Sequence, residues 1–122
     1  MAELTGPLWM SKAKAIASSF RPITAGAQAA RHSVYVVLLY DSSLSGRWGL
    51  YVGQTSRDPD WRFDQHKSGY KASAAVRRFG VRLLPQLFEH LNPLKGWESL
   101  EIEAALADAF RGGGIEWVEG GH

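Results

Sequence analysis

The 122-residue chain contains no cysteine. That excludes a disulfide framework and any thiolate metal site, and it fits a reducing compartment. No apolar run approaches the ~18 residues that cross a bilayer, so neither a membrane span nor a membrane partner is expected. The pattern of a signal peptide is missing as well: Glu3 precedes any basic cluster, and Lys12 and Lys14 interrupt the apolar stretch. The expected location is cytoplasmic. No internal repeat and no low-complexity segment is present. Apolar residues make up 45% and charged residues 21%, which supports one packed core and argues against wholesale disorder. The length suits one domain rather than two.

The formal net charge is only +2, but it is unevenly spread. Residues 57–82 hold seven cations (Arg57, Arg62, Lys67, Lys71, Arg77, Arg78, Arg82) against Asp58, Asp60 and Asp64. Residues 89–122 hold seven acids against Lys95 and Arg111. A basic middle beside a candidate site favours a polyanion such as nucleic acid. The alternative is a solvated, charged helix face.

Residues 1–31 read as a helical, basic arm. Pro7 can start a helix, with Leu8, Trp9, Ala13, Ile16 and Phe20 as a rough stripe, and Arg21-Pro22 ends it. The arm could cover a sheet or be mobile. Val34 to Tyr40 is β-branched and aromatic without a polar break, the pattern of a central strand buried on both faces. Turn residues 41–47 follow, then a partner strand from Trp48 to Val52, ended by Gly53, giving an antiparallel hairpin. Asp58-Pro59-Asp60 predicts a helix start with Asp58 as cap, and Gly69 predicts its stop after Ser68. A short helix over Ala72–Phe79 and a third strand over Val81–Leu91, bent at Pro85, are expected next. Asn92-Pro93 breaks that strand. The last helix should run from Trp97 to Arg111. Residues 114–118 could then form a short strand or a packed tail.

On that helix, at roughly 100° per residue, Leu100, Ile102, Leu106, Ala107 and Phe110 cover one arc, and Glu98 and Glu101 fall outside it. Glu103 falls inside. A carboxylate on a buried stripe is costly unless it is paired or coordinates a cation. An internal salt bridge with an arginine, or a place at the stripe's edge, is the plain alternative. Arg62 and His66 are four apart and share a helix face, so one can clamp a phosphate while the other moves a proton. Tyr35 and Tyr51 lie on neighbouring strands, where tyrosines also pack for ordinary reasons.

The order Tyr, Tyr, Arg, His, Glu on strand, strand, helix, helix resembles the GIY-YIG nuclease family. Ser33-Val34-Tyr35 matches its first motif loosely, and Tyr51-Val52-Gly53 its second closely. Arg62 to His66 is similar to the family's Arg-x-x-x-His step, and Glu103 to Leu106 to its Glu-x-x-Leu helix. The resemblance spans Ser33 to about Arg111. It implies an α+β catalytic domain over residues 32–122, with a three-stranded antiparallel sheet flanked by helices. It also implies a metal-dependent endonuclease, a hydrolase of DNA phosphodiester bonds. Carried over, Glu103 would hold Mg²⁺ or Mn²⁺, and Arg62 would neutralise charge on the phosphate. Tyr35, Tyr51 and His66 would position or deprotonate the attacking water, or supply the nucleophile. Gln54, Lys67, Lys71, Arg77 and Arg78 would meet the DNA. Ser33 replaces a glycine, Gln54 stands where members often carry Lys, and no Asn follows Arg111. The alternative is therefore the same fold kept as a DNA- or protein-binding module with degraded chemistry. A plain interaction domain, with Glu103 in a structural ion pair, is the third reading.

Overall fold

The run of β-branched and aliphatic side chains at 33–41 has one stable home, the interior of a sheet. In the computed structural model it is strand β1, Ser33–Asp41, and all six residues from Val34 to Leu39 are buried. Alternate residues point to opposite faces, so this strand feeds both sides of the core. Each of its buried Val or Leu side chains stabilises the fold by about 1.5–3 kcal/mol. The structure describes residues 6–43 and 45–121; residues 1–5 of the expected arm, Leu44 of the inter-strand loop and His122 lie outside the described residues.

The partner strand, β2, spans Arg47–Thr55 and pairs antiparallel with β1, placing Tyr35 opposite Gly53 and Val37 opposite Tyr51. Gly53 does not end this strand, as expected from its sequence, but lies inside it. A Cβ there would come within 2.6 Å of the Tyr35 ring and hydroxyl and 2.9 Å of the Tyr51 ring. The glycine is thus a space requirement of two phenols, not a stop.

Helix α2, Pro59–Ser68, closes at Gly69, whose φ of 93° is the left-handed conformation glycine adopts without strain. Asp58 precedes it as expected, but its carboxylate makes no capping hydrogen bond. Helix α3, Ala74–Phe79, starts two residues later than predicted, because the Ser73 side chain accepts a hydrogen bond from Val76 N and caps it.

The expected strand to Leu91 is much shorter. Strand β3 is Gly80–Leu83, antiparallel to β1. Beyond it the chain makes two 3₁₀ turns, Pro85–Leu87 and Glu89–Leu91. Pro85 has no N–H for a ladder, and Leu84, Leu87 and Leu91 are all fully buried at a spacing suited to turns. The chain's one asparagine, Asn92, pins β1: its side chain accepts from Val34 N at 2.9 Å and donates to Val34 O at 2.7 Å.

Helix α4 spans Gly96–Gly112. A last strand, β4, Val118–Gly120, runs parallel to β2. The fold is therefore α+β with a four-stranded mixed sheet in the order β3-β1-β2-β4. The three-stranded antiparallel expectation is corrected by β4. Its three residues are held by backbone pairing and by Arg111, which donates to Val118 O at 3.2 Å and Gly120 O at 3.1 Å. Gly120 and Gly121 pass so close to the Val52 carbonyl and the Ala107 side chain that neither has room for a Cβ.

The N-terminal arm covers the core. Its helix α1, Met10–Ser18, buries Ala13 and Ala17, while Leu8, expected on its stripe, is 97% exposed. No helix among the described residues is long and apolar enough to cross a membrane.

Candidate active site

The α4 stripe differs from the apolar arc drawn from sequence. Leu100 is exposed, and the buried residues are Glu98, Ser99, Glu103, Leu106, Ala107 and Phe110. Glu98 is a structural carboxylate that sequence reasoning missed. It accepts from Ile23 N and Thr24 N at 2.7 Å each and from Thr24 Oγ1 at 2.5 Å. Burial pushes its carboxyl up, but these three donors outweigh that and hold it below the usual carboxylate range.

Glu103, just over one turn later, is 7% exposed as a residue but its carboxylate oxygens reach solvent, and it forms no salt bridge or side-chain hydrogen bond among the described residues. The internal ion pair weighed from sequence is therefore not formed there. Burial alone pushes its carboxyl up to about 7. Its charge bears on both phenols of the hairpin, helping to raise each.

Those phenols meet His66 on the other side. Tyr35 Oη lies 2.8 Å from His66 Nε2. Ser73 N donates to His66 Nδ1 at 2.9 Å, so Nδ1 is an acceptor and the neutral ring carries its proton on Nε2. His66 therefore donates to Tyr35, which leaves the Tyr35 proton free to turn towards Tyr51. The Tyr35 and Tyr51 ring centroids are 6.1 Å apart, and the Tyr51 and His66 rings meet edge-on at 5.6 Å.

Burial first and Tyr51 second push the Tyr35 phenol far up. Burial and then Glu103 push Tyr51 up. Burial first, then the Arg62 charge, pushes His66 down to about 4. Near neutral pH this is a chain of neutral hydrogen-bonding groups beside one acid that burial makes harder to ionise.

Arg62 supplies the cation. Its Nη2 donates to Lys71 O at 2.8 Å and its Nη1 to Tyr70 O at 3.4 Å, which fixes the guanidinium after α2. Its charge lowers Tyr35, Tyr51 and His66 together. Tyr35, Tyr51 and His66 thus meet ring to ring, and Arg62 and Glu103 lie near enough for their charges to act on both phenols.

The expected substrate-binding residues are less uniform. Lys67 is spent on carbonyls, donating to Gly80 O at 3.0 Å, Arg77 O at 3.2 Å and Val76 O at 3.4 Å. It closes the end of α3 rather than presenting a free ammonium. Gln54 Oε1 accepts from Ser99 Oγ at 3.2 Å. Lys71 Nζ lies 5.7 Å from the Tyr70 ring centre, and the Arg78 guanidinium 5.0 Å from that of Phe79. Arg77 is exposed and lies along Gly69. Sequence reasoning also missed Ser73, which sets the His66 tautomer; its signal was a cap-type residue directly before a helix.

Among the described residues no cluster of three or more His, Asp or Glu converges. The one carboxylate at this site that could meet a cation is Glu103, and an ion held by a single carboxylate would have to keep most of its waters. Compared with family models, curated proteins and solved structures, the chain finds no match in any of the three.

Proposed function

We propose that this chain is a metal-dependent DNA endonuclease of the GIY-YIG type, hydrolysing phosphodiester bonds. The observation that carries this reading is the convergence of two phenols, an imidazole, a guanidinium and an unpaired carboxylate drawn from β1, β2, α2 and α4. Glu98 is paired by three donors; Glu103 is not, and its partial burial disfavours the charged form.

In this mechanism Glu103 would hold Mg²⁺ or Mn²⁺. When bound, such an ion supplies Lewis-acid stabilisation of the leaving oxygen. Arg62 would offset charge building on the phosphate, with its guanidinium already held by the Tyr70 and Lys71 carbonyls. His66 Nε2–H orients Tyr35, and Tyr35 can donate on towards Tyr51. With both phenols raised and His66 Nδ1 occupied by Ser73, the relay favours positioning a water over forming a free phenolate at neutral pH. Exposed cations between 57 and 82 would follow the DNA backbone, giving salt-dependent binding with little base readout.

A second reading keeps the fold as a DNA- or protein-binding module. It is favoured by Gln54, which brings no charge and is tied to Ser99. Plasmid nicking with Mg²⁺, comparing the wild type with Glu103→Ala, separates the two. The nuclease reading expects a loss of at least about 100-fold in rate. Equal cleavage by both proteins removes Glu103 from the site. No cleavage of any DNA form, with retention that ignores metal, supports the binding module.

A further inference from the structure

Two aromatic rings next to the site lie open to solvent. Trp61 is 39% exposed and Tyr70 57% exposed. Both adjoin Arg62, Trp61 as its chain neighbour and Tyr70 through the carbonyl that Arg62 holds. Each ring carries a cation of its own: the Arg57 guanidinium lies 4.1 Å from the Trp61 ring centre, and Lys71 Nζ 5.7 Å from that of Tyr70. On α2, at about 100° per residue, Trp61, Gln65 and Arg62 share one arc, whereas Asp60 and Asp64 lie beyond Trp61 on the other flank.

We propose that Trp61 and Tyr70 form a stacking platform for unpaired bases, so that the DNA taken by this site carries a single-stranded stretch next to the scissile phosphate. This rests on the nuclease reading and deepens it. In a duplex the base faces are stacked on one another and cannot reach these rings. In a single strand every base offers a face to an aromatic ring, while cations track the phosphates. Alternating rings and cations around Arg62 meet both needs at once. A purely electrostatic duplex surface would need the cations and not the exposed rings.

The test is the affinity of the full chain, in EDTA, for fluorescein-labelled oligothymidine and for a duplex of equal length, by anisotropy over a range of salt. W61A/Y70A should lose roughly tenfold or more on the single strand. It should change little on the duplex and keep its salt slope, since no phosphate contact is removed. W61F/Y70F, which retains rings, should recover most of the loss. Equal loss on both DNA forms, no loss, or a Phe variant no better than the Ala variant overturns the proposal. Should W61A/Y70A fail to fold, tryptophan emission decides: oligothymidine should quench the wild type and leave W61F unquenched, and equal quenching of both overturns the platform. Binding in EDTA is independent of turnover. Glu103→Ala leaves both rings in place and should keep the single-strand preference, so a failure of the platform and a failure of the nuclease reading are told apart.

Discussion

Glu98 and Glu103 lie on the same helix, both buried, and their environments are opposite. Glu98 is surrounded by three donors from a loop 74 or 75 residues away in sequence, and its carboxyl is held low. Glu103 has no such donors, and burial lifts it to about 7. The first acid fastens the N-terminal arm to the closing helix. The second is kept at a cost and leaves its oxygens available beside the phenols. Burial alone therefore does not separate an acid tied into the fold from one left without partners; the donors around it do.

Glu98→Ala should break this contrast most severely. It strands Ile23 N, Thr24 N and the Thr24 hydroxyl, and a loss of about 3 kcal/mol is expected in urea unfolding. Nicking per folded molecule should be nearly unchanged. Glu103→Gln should act the other way, raising stability by about 2 kcal/mol above neutral pH while abolishing nicking. A stabilised, inactive protein is the signature of an acid retained for chemistry.

The pH dependence sharpens the same point. Glu103 titrates near 7 when folded, against an ordinary value of 4.5, so the native state holds its proton more tightly. Its destabilising effect is absent below about 4.5, grows as pH rises through the window, and is complete above about 7. The advantage of Glu103→Gln should follow that course and vanish at the acid end. His66 runs in the opposite sense: with a folded value of about 4 against 6.5, its neutral form is protected, and stability is lost as pH falls through that interval. Both proteins share that loss, so the difference between their unfolding curves isolates Glu103. The smallest effect is expected from Ser99→Ala. Removing its bond to Gln54 should cost about 0.5–1 kcal/mol and leave the pH course untouched.

What could be read from the sequence follows from how local each signal is. The Val34–Leu39 run and the Asp58-Pro59 to Gly69 frame carry their structure within a few residues, and β1 and α2 formed where expected. The places of Tyr35, Tyr51 and His66 on strand and helix were legible in the same way, and the pairing of β1 with β2 and the seating of α2 bring those three rings together. Glu98 was misread because its donors, Ile23 and Thr24, are distant in sequence, and an arc drawn from apolar residues cannot see a satisfied carboxylate. The strand predicted to Leu91 failed because Leu84, Leu87 and Leu91 suit a turn as well as a ladder, and Pro85 decides between them. Strand β4 was only half legible, since three residues ending in glycine have little propensity and rely on β2 and Arg111.

That glycine-lined tail also sets a tolerance. Residues 120 and 121 thread between β2 and α4, touching Val52 on one side and Ala107 and the Glu103 backbone on the other. The gauge of this seam is fixed by hydrogen atoms: a methyl at 120 would run into the Val52 backbone of β2, and one at 121 into Ala107 on the helix that carries Glu103. The spacing of β2 from α4 is therefore set far along the chain by two residues that bring no functional group of their own.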